Sequence, residues 1–336
     1  MTSPQETAGS GRHALVTGGA GFIGSHLAEA LLGRGYEVTV IDNLSTGRFE
    51  NISHLIQQPT FHFVHDHINN EIVMDRLISD CDLIFHLAAA VGVMLIVEKP
   101  VHTLETNLLG TESVLRIALR YRRKVLLAST SEVYGKGNHL PFQEDDDVVI
   151  GSTSRSRWSY AASKMVDEFL ALAYHREYGL PVTVFRLFNT VGPRQTGRYG
   201  MVVPRFIEAA LDGRPLQVFG NGEQSRCFLH VADAVEAILL LAEHEESIGQ
   251  VVNIGSTQEI RIFDLARRVL ASLGDNQDAA DRIMLVPYEQ AYAAGFEDML
   301  RRVPDITRIQ KMTGWLPRHD LDRILADVLA EKRRAH

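Results

Sequence analysis

Cysteine is scarce: only Cys81 and Cys227 occur in 336 residues. Two are too few for a disulfide framework and point to a reducing compartment. No apolar run approaches the ~18 residues of a membrane-spanning helix, so no membrane association is expected. Excess positive charge is missing too. Lys and Arg number 34 against 42 Asp and Glu, a net charge of −8, which disfavours a nucleic-acid-binding surface. There is no internal repeat and no low-complexity tract. Residues 1–11 are polar, Gly/Ser-rich and without the apolar core of a signal peptide, and read as a disordered tail. Together these absences lead to the expectation of a cytoplasmic protein. What is present is ordinary globular material, 45% hydrophobic and 23% charged, of a length that suggests two domains.

Through the first half, apolar strand-like runs alternate with helix-period segments. Runs at 14–17, 37–41, 61–64, 82–87, 125–129 and 182–187 read as strands, with helices at 23–32 and 159–178. Strands this apolar are buried on both faces, which predicts an α/β fold: a Rossmann-type doubly wound parallel sheet covered by helices. After Asn189 the segments shorten and are broken by Gly192-Pro193, Gly213, Pro215, Gly220 and Gly222. A helix at 231–243 and a strand at 251–254 read as a return to the sheet. Helices at 263–273 and 321–330 read as part of a smaller C-terminal substrate-binding lobe. The expected division is 12–188 plus 228–254 for the dinucleotide-binding domain and 189–227 plus 255–330 for the second lobe.

Gly18-Gly19-Ala20-Gly21-Phe22-Ile23-Gly24 joins the first strand to the first helix. Glycines here permit a tight turn and close backbone approach, so a pyrophosphate can rest on the helix N-terminus. Asp42 ends the next strand. It can accept hydrogen bonds from both adenosine ribose hydroxyls and would repel a 2′-phosphate, so NAD is expected rather than NADP. His62, His65 and His67 around Asp66 resemble a metal-ligand cluster, but strand alternation puts His62 on the opposite face from the other two. Asp66 and His67 are expected to border the adenine, and no metal is predicted.

Tyr160 and Lys164 lie one helical turn apart, on one face. Tyrosine has a pKa near ~10; bringing it to about 7 takes roughly 4 kcal/mol of stabilisation from a nearby ammonium and the positive nicotinamide ring. Phenolate can then take the proton of a sugar hydroxyl as hydride leaves. Thr130, at the end of the fifth strand, completes the group.

With these residues in place the chain resembles the extended short-chain dehydrogenase/reductase family, whose members modify nucleotide sugars. The resemblance runs from His13 to about Leu329. It rests on the glycine motif, Asp42-Asn43, His86-Leu87-Ala88-Ala89, Ser131-Glu132-Val133-Tyr134-Gly135, Tyr160/Lys164, Arg186-Leu187-Phe188-Asn189, Val191-Gly192-Pro193-Arg194 and Arg302-Val303-Pro304-Asp305. It implies that Gly18, Gly21, Phe22, Ile23, Gly24, Asp42, Asn43, Asp66, His67, Leu87, Ala88, Ala89, Asn107, Tyr160 and Lys164 hold NAD. Within the family, Thr130-Ser131-Glu132 resembles the triplet of UDP-glucuronate decarboxylases. The 4,6-dehydratases carry Asp-Glu at Ser131-Glu132, and many 4-epimerases have no acid at Glu132. Arg226 matches an arginine that serves decarboxylation or grips the diphosphate, and Arg157-Trp158-Ser159-Tyr160 resembles a decarboxylase Arg-Trp-x-Tyr.

The resemblance therefore implies oxidation of UDP-glucuronate at C4 and loss of its carboxylate. Tyr160, Lys164, Thr130, Ser131, Glu132, Arg226 and Arg157 would be catalytic, with Ser131 and Glu132 shaping or protonating the C5 region. Asn189, Val202, Phe219, Arg226, Arg302 and Asp305 would hold the UDP-sugar. A structural ion pair is the alternative for Glu132, and core packing for Phe219. The segment 88–94 departs from the Ser/Pro-rich loop of UDP-xylose synthases and is closer to epimerases. A homodimer pairing the helices at 103–121 and 159–178 is also implied.

Overall fold

The computed structural model describes residues 11–92, 99–197, 201–274, 281–291 and 299–335. Its strands are β1 His13–Thr17, β2 Glu37–Ile41, β3 Phe61–Val64, β4 Leu83–His86, β5 Lys124–Thr130, β6 Val182–Leu187, β7 Thr190–Val191, β8 Leu216–Phe219, β9 Ser225–Cys227, β10 Leu229–His230, β11 Val251–Ile254, β12 Glu259–Arg261 and β13 Ile283–Val286. Its helices are α1 Phe22–Gly33, α2 Glu71–Asp80, α3 Pro100–Tyr121, α4 Ser159–Tyr178, α5 Val202–Leu211, α6 Val231–Glu243, α7 Ile262–Ser272, α8 Tyr288–Ala291, α9 Thr307–Thr313 and α10 Leu321–Ala335.

Seven strands make one parallel sheet in the order β3-β2-β1-β4-β5-β6-β11. Alternation sends Ala14 and Val16 to one face and Leu15 to the other, and both faces are covered. Ala14, Val16, Val40 and Phe85 pack with Leu27 and Leu31 of α1 and Ala234 and Ile238 of α6. On the other side Leu15, Ile84, Val125 and Leu127 pack with Met74 of α2, Val114 and Leu115 of α3 and Ala171 of α4. The strand order reverses between β1 and β4, which opens a crevice at their carboxyl ends, the place where ligands bind in such sheets.

A separate apolar cluster, including Val203, Phe206, Leu216, Val269, Ile324 and Val328, ties α5, α7 and α10 to β8. Three two-stranded pairs, β7–β10, β8–β13 and the antiparallel β9–β12, complete this part. Residues 306–315 fall in the sequence span given to the second lobe. Their Ile306, Ile309 and Trp315 pack instead on the first cluster, because α9 lies against β11 and α6.

Candidate active site

Gly18 follows β1 with φ +71°, and a Cβ there would lie 2.8 Å from the Ala88 backbone nitrogen. A Cβ on Gly24 would lie 2.3 Å from the Gly18 carbonyl. The two glycines therefore hold the turn into α1 tight against Leu87 and Ala88, whose N–H groups bond Thr17 O and Thr17 Oγ1, both at 3.2 Å. Gly21 precedes α1 and offers no side chain to its first turn, which begins at Phe22 and Ile23. Asp42 is buried, with one oxygen accepting from Ala20 N at 3.0 Å and the other from Leu44 N at 2.8 Å. Each oxygen keeps a lone-pair direction for a ribose hydroxyl. Gly18, Gly21, Phe22, Ile23, Gly24, Asp42, Leu87 and Ala88 thus come together in a cradle that fits a dinucleotide.

The other expected cofactor residues have mixed placements. Asn43 accepts Ser45 N–H at 3.0 Å. Asp66 spends its oxygens on His67 N and Asn70 Nδ2. His67 Nδ1 accepts from Asn69 N. Asn107 accepts from Ala90 N at 2.8 Å and donates to Ser163 Oγ at 3.1 Å. It therefore pins the loop after β4 to the helix of Tyr160, a positioning contact. Residues 93–98 of that loop lie outside the described residues. His62 bonds Glu37 at 2.9 Å, whereas His65 faces the Asn43 carbonyl. Among the described residues no three His, Cys, Asp or Glu side chains converge as metal ligands.

The polar end of the site forms where β5 runs into the short 3-10 turn Ser131–Tyr134. Thr130 Oγ1 accepts Glu132 N–H at 3.3 Å, and Thr130 stands near enough to the Tyr160 phenol to favour its charged form. Arg157 sits on a second 3-10 turn, Ser156–Trp158, that runs directly into α4. Trp158 locks that turn, for a Cβ on Gly151 would lie 2.1 Å from its Nε1. Arg157 Nη1 donates to Glu132 at 2.5 Å, with only 4% and 14% of the two side chains exposed. Arg302 Nη1 lies 3.8 Å from Glu132 and donates to Asn189 Oδ1 at 3.3 Å and Ser131 Oγ at 3.4 Å. Arg226, buried on β9, donates to the carbonyls of Ser225 and Leu300 and adds its charge to the field at Glu132.

Burial alone would raise the Glu132 pKa, but the charges of Arg157, Arg302 and Arg226 outweigh it and hold the group below its usual range. Glu132 is therefore a carboxylate at neutral pH. Of the two roles implied for it, shaping the C5 region fits this arrangement and donating a proton does not.

Burial, and after it the Glu132 and Asp167 charges, push the Tyr160 phenol well above the ordinary value, although nearby Thr130 works the other way. Lys164 Nζ donates to Asp167 Oδ2 at 2.8 Å, so its ammonium is shared with an acid that the sequence motifs did not mark. The signal available was a carboxylate three residues after the lysine; burial, which decides its meaning, was not.

The expected nucleotide residues divide in the same way. Asn189, Arg226 and Arg302 gather beside Ser131 and Glu132. Phe219 is half-buried on β8 with the Arg205 guanidinium 3.9 Å above its ring, and Val202 packs into the second cluster. Asp305 is spent elsewhere, accepting Thr307 N–H at the first turn of α9 and a 3.4 Å bond from Gln143.

A crevice for a dinucleotide beside a Thr/Tyr/Lys group defines an oxidoreductive nucleotide-binding enzyme on a doubly wound sheet. A family model described as GDP-mannose 4,6 dehydratase matches residues 15–328, and the chain belongs to that family of extended short-chain dehydrogenases/reductases. It is 44% identical to a UDP-N-acetyl-alpha-D-glucosaminuronate decarboxylase of Bacillus cytotoxicus over 307 residues, 91% of this chain and 93% of that protein. It is 37% identical to UDP-glucuronic acid decarboxylase 1 of Xenopus tropicalis over 303 residues, 90% of this chain and 68% of the relative. A dTDP-glucose 4,6-dehydratase of Streptomyces venezuelae, solved with NAD bound, superposes with a TM-score of 0.86 at 31% identity, covering 96% of this chain and 97% of the other.

Proposed function

We propose that the protein is an NAD-dependent UDP-uronate decarboxylase that converts UDP-glucuronate to UDP-4-ketopentose and/or UDP-xylose. The observation that carries this reading is the convergence of Arg157, Arg226 and Arg302 on Glu132, beside the Thr130–Tyr160 pair. Guanidinium groups gathered at one place suit a substrate carrying both a diphosphate and a carboxylate. The decarboxylase relatives and the NAD-bound dehydratase support it.

Bound NAD supplies the acceptor for the C4 hydride. Beside the positive nicotinamide the Tyr160 phenol gives its proton to solvent, the phenolate takes the C4 hydroxyl proton as the hydride leaves, and the sugar becomes a β-keto acid. The bond between C5 and the carboxylate then breaks, carbon dioxide leaves, and the electron pair moves into the C4 carbonyl as an enolate. Thr130 and Tyr160 hydrogen-bond that oxygen, and a proton returns to C5. Arg157 or Arg226 orients the departing carboxylate while Glu132 fixes the arginine side chains. Arg302 and Asn189 face the diphosphate, and Asp42 the adenosine ribose.

UDP-N-acetylglucosaminuronate is the second reading, favoured by the 44% identity over nearly the full length of that relative. Both readings are tested by incubating the protein with each UDP-uronate and NAD and following carbon dioxide release and product mass. Release from UDP-glucuronate is expected, and Tyr160→Phe is expected to abolish oxidation. An inverted uronate, UDP-galacturonate, formed without carbon dioxide would make the protein an epimerase and sink the decarboxylase reading.

The same reading makes the protein a homodimer in the cytoplasm. Exposed apolar side chains on α3 and α4 support the first part, and two buried free cysteines, with thiols pushed up to about 12 by burial, fit the second.

A further inference from the structure

Lys164 and Asp167 form an ion pair inside α4, 2.8 Å apart, with 3% and 0% of their side chains exposed. An isolated charge at either position would be very costly; burial raises the Asp167 pKa, and the charge and hydrogen bond of Lys164 work against that rise. The pair is tied into the fold. Thr111 of α3 stands close enough to Asp167 to favour its charged form, and Thr111 Oγ1 lies 3.2 Å from His86 Nε2. His86 Nδ1 lies 2.8 Å from Thr17 Oγ1, at the end of β1. His86 cannot share the positive charge: burial, then the Lys164 ammonium, lower its pKa to about 3.

Among the described residues the charges around Tyr160 are these. On α4 they are Lys164 and Asp167, with Glu168 one residue further on but closed off by a buried pair with Arg186 of β6. From the turn after β5 comes Glu132, and from the turn before α4 comes Arg157. Arg302 and Arg226 act through Glu132, and β4 contributes only neutral His86. Nearest the phenol, the two cations are each matched by an anion.

We propose that Asp167 is a positioning residue for the reaction. By pairing with Lys164 it offsets part of the positive charge near Tyr160, so the tyrosine stays a phenol until the positive nicotinamide stands beside it; its proton then passes to solvent and the phenolate is free to take that of the substrate hydroxyl. This rests on the reading of Tyr160 and Lys164 as the proton-handling pair. Asp167 ranks among the groups that push the Tyr160 phenol up, behind burial and Glu132. A phenolate formed without substrate would hold a buried negative charge next to Glu132. The acid on Lys164 avoids that state.

The test compares wild type, Asp167→Asn and Asp167→Glu, each with and without Tyr160→Phe. Ultraviolet titration of the cofactor-free proteins gives the tyrosinate signal of Tyr160 by difference. Wild type is expected to show no Tyr160 step below the ordinary ~10 of tyrosine. Asp167→Asn is expected to bring the step down by about one pH unit or more, tenfold more phenolate at a given pH, while Asp167→Glu stays near wild type. The acid limb of single-turnover hydride transfer is expected to move the same way. A Tyr160 step near neutral pH in wild type overturns the proposal, and needs no variant at Asp167 to be seen. An unchanged step in Asp167→Asn, or equal shifts for Asn and Glu, overturns it as well. Failure to decarboxylate either UDP-uronate would count against the proposed substrate and leave the titration result standing.

Discussion

At the level of single residues, the site depends on which acids are ionised. Glu132 shows this most directly, since folding holds its carboxyl below the ordinary 4.5. The native state therefore binds fewer protons than the unfolded chain near that pH. The resulting stability is full above the unfolded value and is lost as pH falls through the lowered native one. Replacing Glu132 with Gln removes a buried carboxylate to which Arg157 donates, at a cost of about 3 kcal/mol near neutrality. Denaturant unfolding is expected to show that gap between wild type and Glu132→Gln closing as pH drops from about 5 to 3. A gap that stays constant over that range would mean Glu132 is not held as a carboxylate. Tyr160, Lys164, Arg157 and Glu132 were legible in the sequence because spacing on helices and short turns survives in one dimension. Asp167 was not, since an acid three residues after a lysine reads as a surface pair until burial is known. Asp305 sits in a recognisable motif, and its carboxylate accepts from the first turn of α9.

The elements that carry the site were legible to different degrees, for a physical reason. β1, β2, β4, β5 and β6 are parallel strands buried on both faces, so each is a nearly continuous apolar run. The second part is built from strands of two to four residues joined across long separations, as when β8 at 216–219 pairs with β13 at 283–286. Such runs are too short to show a period, and helices α2, α5 and α9 were not anticipated either. The turn between β1 and α1 makes the sharpest claim at this scale. Gly18 combines a positive φ with a 2.8 Å approach to Ala88, so Gly18→Ala must strain or displace that backbone. The strain is about 1–3 kcal/mol, which lowers NAD affinity roughly 5- to 150-fold in a calorimetric titration. Gly33 lies near the other end of α1 with open space where its Cβ would go, and Gly33→Ala is expected to bind NAD as wild type does. Equal losses from both variants would show that the turn tolerates a side chain and that the cradle is elsewhere.

For the whole molecule, the question is what covers the outer face of α3 and α4. Those helices pack on each other and bury Val114, Leu115 and Ala171 inward, yet Leu109, Val166 and Phe169 stand 56%, 45% and 60% exposed. Val166 and Phe169 are one turn apart on α4, so they share a side of the helix. In sequence, apolar stripes on two helices do not separate an interface from an ordinary core, because the two have the same period. Exposure on the folded chain separates them: these three side chains are not core. The helix that presents Val166 and Phe169 also carries Tyr160, Lys164 and Asp167, so a partner docked there would brace the helix of the proposed proton-handling pair from outside. If a second copy is that partner, Phe169→Asp and Leu109→Asp place charges in an apolar interface and should give monomers by light scattering. A surface substitution of this kind usually changes a monomer's stability by no more than about 0.5 kcal/mol. The variants should therefore melt cooperatively while turning over more slowly, as α4 loses its support. Variants that keep the mass of the wild-type species would show that the exposed face is covered by something other than a second copy.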